Sequence, residues 1–491
     1  MEHLLPLAAA LPLVAAALLP AVAWRRPDVA WGWAVAAGAG LLAIVGLLLR
    51  RLLQEGPFSY AVGGWAPPWG IELRFDALSA FSLGIALVGV AVLVFSGRYA
   101  QAAVPPQRRA WYYSLLLVNL GGLVGFACAA DLFNLFVCME LVSVSSYALV
   151  AAGGGRIAAL AAFKYLVAGA VSSLLVLFAV GILHALTGSL NMADVALRLA
   201  DVEARGPVLL ALGALTAGFM VKAALFPLHL WLPDAHASAP SPVSAVLSAL
   251  VVKLGVLGLA RVLPLFAGLD WLALAPLHEG LAWLGAIAIV AGALAALLQE
   301  DLKLMLAYST VSNIGYILLG LGLATPLAMT GGLVHVFYHA LIKATLFLAA
   351  GAIIHQAGYR TLRDLRGIGR AMPWTGVALS LGVLAIVGLP PTAGFLGKWY
   401  LLLGALEAGR PGFAVALLAG ALLIFVYYLR ILNAFYFRAP LREQILAVRE
   451  APLSMLLPVM ALALLCLLGG LFGSGPVALA ALAAARLAGG G

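Results

Sequence analysis

The sequence predicts an all-α polytopic membrane protein with about 14 transmembrane helices, and three observations support this fold class. Hydrophobic residues make up 65% of the 491 residues and charged residues only 10%, whereas soluble domains contain about 45–50% and about 25%. Apolar runs of about 20 residues recur along the chain, which is the length that a helix needs to cross about 30 Å of hydrocarbon. Charged residues, Pro or Gly separate these runs. A soluble fold of this size could not cover so much apolar surface with polar groups.

The individual spans are predicted from fourteen apolar windows, at about residues 4–24, 29–49, 76–96, 110–129, 131–151, 158–185, 207–228, 241–262, 278–298, 302–323, 328–355, 372–405, 411–433 and 452–474. The first window lacks a basic segment before it and is longer than the apolar part of a typical signal peptide. It is therefore predicted to be the first transmembrane helix rather than a secretory signal.

Two of the spans are predicted to be broken helices. The window at 372–405 is too long for one straight helix, and Gly388 and the pair Pro390–Pro391 interrupt it. In the first half of the chain, Pro227 follows Lys222 and predicts a second break. Irregular backbone at bilayer depth is tolerated only where protein or water satisfies its polar groups, and it is typical of transporters.

The basic residues of the loops predict the orientation. Fifteen of them, with Arg25 and Lys303 among these, fall in the loops on one side, and eight fall on the other. By the positive-inside rule both chain termini lie outside, in the inner (plasma) membrane of the cell. The net charge of +9 is explained better by basic loops beside anionic lipid headgroups than by binding to nucleic acid.

Several charged residues lie inside predicted spans, where charges are unfavourable: Glu140, Lys164, Lys222, Lys253, Lys343 and Lys398. One charge at a helix centre costs roughly 2.5–3.5 kcal/mol, so five unpaired lysines would cost on the order of 12–18 kcal/mol. These groups must therefore pair, contact water or lose their charge. A desolvated lysine can release its proton, whereas arginine stays charged. The pattern favours a proton relay, and the alternative is snorkelling or static ion pairing.

Histidines extend this pattern in the eleventh span. His335 and His339 stand four residues apart, and Lys343 follows one turn later, so that all three lie on one helix face. The HxxxH spacing also suits a metal ion, but no third ligand and no general-base glutamate accompany it. The spacing therefore favours a proton-conducting stripe over a metal site.

A Pro-rich segment after the seventh span holds three further polar candidates, His229, Asp234 and His236. Two interpretations stay open for them. They belong to a tight helix connection, or they guide protons to the membrane surface. Elsewhere no nucleotide fingerprint, flavin signature or CxxC spacing indicates a cofactor, so none is expected and the chain has no catalytic centre of its own.

Five segments carry a family resemblance: DLFNLFVCMELVSVSSYALV, GFMVKAALFPLHLWLPDAHASAPSPVSAVLSALVVKLG, DLKLMLAYSTVSNIGYILLG, HVFYHALIKATLFLAAGAI and GLPPTAGFLGKWYL. Together they cover roughly residues 110–430. They resemble the antiporter-like proton-translocating subunits of respiratory complex I, of membrane-bound hydrogenases and of Mrp-type cation/proton antiporters.

The resemblance implies two five-helix inverted repeats. It divides the chain into N-terminal helices at 1–109, a first repeat at 110–262, a second repeat at 278–433, and a C-terminal helix and tail at 452–491. For the first repeat it implies that Glu140 pairs with Lys222 and that Lys253 is the central relay lysine. Lys164 matches the polar end of the sixth span.

In the second repeat, His335, His339 and Lys343 match the polar stripe of the family, and Lys398 resembles its terminal relay residue. A lysine at that position is more similar to the D-type member of Mrp antiporters or the N-type member of complex I, because some complex I members carry glutamate there.

The implied function is proton translocation, with Na⁺/H⁺ exchange left open, within a cation/proton antiporter built from several membrane subunits. The alternative is a pumping subunit of a complex I-like NADH:quinone oxidoreductase or a membrane-bound hydrogenase. Whether the chain belongs to an enzyme stays open, since any redox chemistry would reside in partner subunits. A bicarbonate-uptake subunit is a third, weaker alternative.

Overall fold

A computed structural model describes residues 3–24, 26 and 28–489. Arg25, counted above among the loop arginines, and the outermost residues at both chain ends lie outside this described part. The helices are α1 (Leu4–Val22), α2 (Val29–Glu55), α3 (Ser82–Ala103), α4 (Pro106–Ala127), α5 (Leu132–Ala151), α6 (Gly155–Thr187), α7 (Met192–Leu199), α8 (Arg205–Lys222), α9 (Trp231–Ser238), α10 (Ser241–Val246), α11 (Lys253–Val262), α12 (Ala275–Leu297), α13 (Leu302–Leu323), α14 (Pro326–Ala357), α15 (Ile368–Ala371), α16 (Pro373–Val387), α17 (Ala393–Glu407), α18 (Pro411–Leu432), α19 (Leu453–Leu471) and α20 (Ser474–Gly489). An antiparallel hairpin, β1 (Phe58–Ala61) and β2 (Glu72–Phe75), joins α2 to α3.

The number of spans agrees with the sequence prediction. By length and composition, 13 helical segments in the described part of the chain are suited to crossing a membrane. The remaining predicted span, at 372–405, consists of the two 15-residue helices α16 and α17. Gly388 ends α16 with φ at 86°, a left-handed conformation that favours glycine. The protein is therefore a multi-pass all-α membrane protein, and both the fold class and the break in the twelfth span are confirmed.

The same local structure occurs before α5 and before α13. The side chains of Asp131 and Asp301 each accept a hydrogen bond from a backbone N–H in the first turn of the helix that follows. Antiparallel bridges join Asp131 to Asn191 and Asp301 to Thr361, in both cases 60 residues further along (131 to 191 and 301 to 361). Since five spans separate the two arrangements, opposite membrane faces are expected for them. Such a recurrence is what an inverted repeat would produce, and the repeats stay a prediction.

Burial separates a central group of helices from a peripheral group. The apolar window is 89% buried in α13 and α14 and completely buried in the segment Ser241–Phe266, but only 39% buried in α2, α6 and α18. Helix α14 packs against α3, α13, α16, α17, α19 and α20 and is the centre of the bundle. Lipid-facing apolar surface therefore lies on the peripheral helices, and polar residues of α13 and α14 are shielded from lipid.

Three details differ from the sequence prediction. Residues 474–489, expected to be a tail, form the helix α20, which packs against α14. Arg261 and Lys303 were counted with the loop residues for the orientation, although they fall at the edges of the predicted windows 241–262 and 302–323, and they lie in α11 and α13. Arg261 donates two hydrogen bonds to the Asp76 carboxylate, at 2.6 and 3.0 Å. Burial alone would raise the pKa of Asp76, but the Arg261 guanidinium outweighs burial and the pKa ends below its usual value.

Candidate functional site

The first group of buried polar residues joins α5, α6 and α8. Ser173 of α6 donates a hydrogen bond to the Glu140 carboxylate, and Lys222 donates one to the Ser143 hydroxyl. Ser143 follows Glu140 by three residues and so lies on the same face of α5. Within the described residues, Glu140 and Lys222 form no direct ion pair, which corrects the pairing implied by the resemblance. The hydroxyl of Ser143 reaches the amine instead.

The second group surrounds Lys253, which is fully buried. A π-helical turn, Leu247–Val251, precedes it. Such turns are rare and frequent at functional sites, because they change the backbone hydrogen-bond pattern. The Lys253 amine donates to the Ser248 carbonyl at 2.5 Å. The Ser248 hydroxyl is 2.7 Å from that of Thr310 in α13, so this group contacts the second repeat.

Gly255 allows the helix of Lys253 to lie close to the helix of Lys222. A Cβ atom at Gly255 would lie 2.3 Å from the Phe219 carbonyl oxygen of α8. Only glycine permits such a close approach of α11 to the helix that carries Lys222. Within the described residues, however, no hydrogen bond joins Lys222 to Lys253, so the structure brings the two lysine-bearing helices together without a direct polar contact between the lysines.

The third group lies between α13 and α14. The Lys343 amine donates to the Leu306 carbonyl and to the Ser309 hydroxyl, at 2.8 Å in both cases. The Nε2 atom of His335 is 3.1 Å from the Asn313 side-chain oxygen. The rings of His335 and His339 stack with centroids 5.5 Å apart. The three residues of the predicted stripe therefore lie together along α14, with Lys343 and His335 bonded to α13.

The fourth group is at the break between α16 and α17. The Lys398 amine donates to the carbonyl oxygens of Ile386 and Val387, at 2.7 and 3.0 Å. These carbonyls belong to the last turn of α16. No later helical turn supplies N–H groups that could donate hydrogen bonds to them. The same amine lies 4.9 Å from the ring centroid of Tyr316, whose ring is 5.8 Å from that of His335. Lys398 thereby donates hydrogen bonds to the free carbonyls at the helix break and contacts Tyr316, which neighbours His335.

The close approach of α17 to His335 requires a glycine at position 397. A Cβ atom at Gly397 would lie 2.9 Å from the Cβ atom of His335, so we expect Gly397→Ala to displace the imidazole and destabilise the protein by about 1–3 kcal/mol. The control is Gly280→Ala, because a Cβ atom at Gly280 meets nothing within 4 Å. Thermal unfolding and proton transport of both variants would be measured. Equal values for the two would contradict a close-packed His335.

The four accessory candidates divide into two pairs. Lys164 and Asp234 form an ion pair of 2.6 Å, with side chains 51% and 46% exposed. His236 is fully buried and its ring stacks on Phe347, with centroids 4.9 Å apart. His229 is also buried. The structure therefore brings His236 next to α14, whereas Lys164 and Asp234 lie on the protein surface.

The polar residues just described fall within one region of the sequence. Residues 129–424 match the family described as NADH:quinone oxidoreductase/Mrp antiporter, transmembrane. The chain belongs to this family. The match contains every candidate from Glu140 to Lys398, and the family assignment made from the sequence motifs is confirmed.

Members of the NADH:quinone oxidoreductase/Mrp antiporter family are similar over most of their length. The N-type subunit of NADH-quinone oxidoreductase from Desulforudis audaxviator is 40% identical over 90% of both chains. The D-type subunit of the Na⁺/H⁺ antiporter from Bacillus subtilis is 31% identical over 82% of this chain and 81% of the relative. A chain of the Mrp complex from a Dietzia species is 26% identical with a TM-score of 0.90, covering 99% of this chain and 97% of that one. A chain of the archaeal membrane-bound sulfane sulfur reductase is 30% identical with a TM-score of 0.90, again covering 99% of this chain and 97% of that one.

One residue of this family member was missed as a site candidate. Lys303 was counted among the loop residues, but it lies in the first turn of α13 and only 5% of it is exposed. Its amine donates to the Ala239 carbonyl at 2.6 Å. Lys253, Lys303 and Lys343 all lie near enough to act electrostatically on His236. The predicted window at 302–323 already contains Lys303, and the helix cap at Asp301 is the second sequence signal that places this lysine inside the helix.

The described side chains were compared with the arrangement that a metal ion needs. Within the described residues, no cluster of three or more His, Cys, Asp or Glu side chains is placed to hold an ion. The ring nitrogens of His236 and His339 have no protein hydrogen-bond partner in that part of the chain. Buried polar groups of this kind are usually satisfied by ordered water, and water next to imidazole and amine groups can transfer protons.

Proposed function

We propose that this chain translocates protons through buried lysine and histidine side chains, as one member of a multi-subunit cation/proton antiporter. A single observation carries the proposal: the polar surroundings of Lys253, Lys343 and Lys398 adjoin one another, although these lysines lie on three different helices. The Lys253 amine donates to the Ser248 carbonyl, and the hydroxyl group of the same serine is 2.7 Å from the Thr310 hydroxyl of α13. Ser309, the neighbour of Thr310, accepts from Lys343.

From Lys343 the contacts continue in the other direction along α14. His339 and His335 precede Lys343 by one and two turns, and their rings stack. The ring of Tyr316 lies between His335 and Lys398. These ring contacts are not hydrogen bonds, so in this proposal ordered water between the imidazole and amine groups transfers the proton from one titratable group to the next.

The hydrogen-bond partners explain how each amine can hold and release a proton. Backbone carbonyls and hydroxyls accept hydrogen bonds from the protonated amines of Lys253, Lys343 and Lys398. Within the described residues no carboxylate pairs with these amines, so a proton is not trapped by a strong ion pair. Like charges repel, so protonation of one lysine would favour release of the proton from a neighbouring lysine.

Glu140 and Lys222 are proposed to couple this path to a neighbouring protein of the complex. Glu140 is partly exposed at the side of α5, and it is the one carboxylate of the first group. Its negative charge lies on the same face of α5 as Ser143, which contacts the Lys222 amine. A change in the position or charge of a neighbouring protein would alter the electrostatic field at Lys222 and so the entry of protons into the path. Lys164 and Asp234 are proposed to have an accessory role at the same surface.

Two assemblies are candidates for the complex. An antiporter is supported by the likeness to the Bacillus subtilis antiporter protein and to the Mrp complex, and Na⁺ exchange belongs to this candidate. The second candidate is a redox-driven pump, favoured by 40% identity to the N-type protein of an NADH-quinone oxidoreductase. In both, we propose a location in the plasma membrane with both termini outside, since fourteen arginines against seven still favour this orientation after Lys303 and Arg261 are removed from the count.

Vesicles that contain the complete complex would test the proposal. The antiporter predicts that an imposed Na⁺ gradient changes the internal pH, measured with a fluorescent dye, and that NADH has no effect. A redox pump predicts acidification driven by NADH, ferredoxin or hydrogen, and mass spectrometry of the purified complex would identify the redox subunits. The isolated chain should oxidise no NADH in either case. Absence of any pH change with all four driving forces would contradict proton translocation.

A further inference from the structure

A basic cavity lies where α12 and α18 end, against the segment that joins α14 to α15. Its volume is about 710 Å³, within the about 300–1,000 Å³ typical of ligand sites. The arginines Arg363, Arg366, Arg430 and Arg438 line it, together with Glu300. Four positive charges and one negative charge leave a net charge of +3. Ligands that complement such a wall are anions with several oxygen atoms, and phosphate is the commonest of these.

Most of this positive charge is not neutralised by the protein. Glu300 is bound by Arg430, at 2.6 Å. The two nearby aspartates, Asp301 and Asp364, are bound by Arg360 and Arg442, which do not line the cavity. Within the described residues, the three other arginines of the wall form no salt bridge. The positive charge of the cavity would therefore attract a negatively charged group from outside the chain.

The end of α18 shapes the cavity. Residues Asn433–Phe437 form a π-helical turn that continues α18. Its wider turn places Asn433 on the wall and ends directly before Arg438. Arg430, one turn earlier, is held by the Leu297 carbonyl as well as by Glu300. The α12 and α18 ends are thus joined at the cavity, and Arg430 is fixed in position.

Exposed apolar side chains adjoin the basic wall. Leu298, at the end of α12, is 80% exposed, and Phe437, next to Arg438, is 77% exposed. Leu294 and Leu429 continue this surface along α12 and α18 towards the membrane interior, at 46% exposure each. A small inorganic anion would gain nothing from contact with this apolar surface. A molecule with an anionic head and apolar chains would contact both parts.

We propose that the cavity binds the phosphate headgroup of an anionic phospholipid, with its acyl chains along α12 and α18. Basic pockets between membrane helices are suited to such headgroups. The position at the ends of spans places the arginines at headgroup depth. The site is separate from the proposed proton path, and its test does not depend on transport.

The test is lipid retention by the full-length chain, purified in detergent and measured by native mass spectrometry. The wild type is expected to retain one phosphatidylglycerol molecule and no phosphatidylcholine under the same conditions. Arg363→Gln combined with Arg366→Gln should bind phosphatidylglycerol roughly 30-fold more weakly, the factor for two arginines near a membrane surface. The matched control is Arg98→Gln combined with Arg156→Gln, which removes the same charge from exposed positions outside the cavity.

Further arms exclude other occupants. If inorganic phosphate at millimolar concentration displaces the lipid, the site recognises free phosphate and the lipid proposal fails. Equal retention of the two lipids, or an equal loss in the control variant, would also overturn it. If the double variant does not fold, Arg438→Gln tests the same point and should weaken retention about fivefold. The measurement is repeated on the assembled complex, where an acidic protein segment in place of lipid would refute the proposal.

Discussion

Lys253→Arg is expected to stop proton translocation as completely as Lys253→Ala. The amine is fully buried and donates to the Ser248 carbonyl, and a relay site must release this proton in every cycle. By their reference acidities, a guanidinium releases a proton roughly 10³-fold less readily than an amine. Arginine keeps the charge and most of the hydrogen bonding, so the substitution separates proton release from fixed charge.

The measurement is the initial rate of pH change in vesicles, normalised to the amount of assembled complex. Lys164→Arg is the matched control, because Lys164 is half exposed and only forms an ion pair with Asp234. That variant should transport at nearly the wild-type rate. Normal transport by Lys253→Arg would show that a fixed positive charge suffices, and Lys253 would then be a structural residue.

Glu140→Gln should abolish coupled transport while the complex still assembles. Glutamine keeps the size of the side chain and a carbonyl oxygen that can accept the hydrogen bond from Ser173. It removes only the negative charge near the Lys222 amine. If Glu140 were needed for packing or hydrogen bonding alone, glutamine would replace it well. Glu140→Asp retains the charge and should keep part of the activity.

The control for this prediction is Glu55→Gln, which removes an equal charge from an exposed pair with Arg51 at the end of α2. Exposed pairs of this kind contribute about 0–1 kcal/mol, so the variant should be unchanged in assembly and transport. Assembly is checked by blue native electrophoresis and transport by the vesicle assay. Near-normal rates in assembled Glu140→Gln complexes would remove Glu140 from the proposed mechanism.

Much of the fold could be predicted because each span obeys a local rule. In hydrocarbon every backbone polar group must be satisfied within its own helix, so a span is visible as a continuous apolar run. The break at residues 372–405 could be predicted for the same reason, since proline and glycine interrupt that pattern locally. Within α14, the regular period of a helix was sufficient to place His335, His339 and Lys343 on one face.

Local sequence patterns were enough to predict the class of the protein, the number of spans and the buried lysines Lys222, Lys253 and Lys343. The hydrogen-bond partners of Lys222 and Lys343 depend on the tertiary structure, because they come from distant parts of the chain. Lys222 reaches Ser143 rather than Glu140, and Lys303 is buried because its amine meets the Ala239 carbonyl. The helical period shows which residues share one face of a helix. Which side chain an amine meets depends on how helices pack, and distances of a few ångströms decide it.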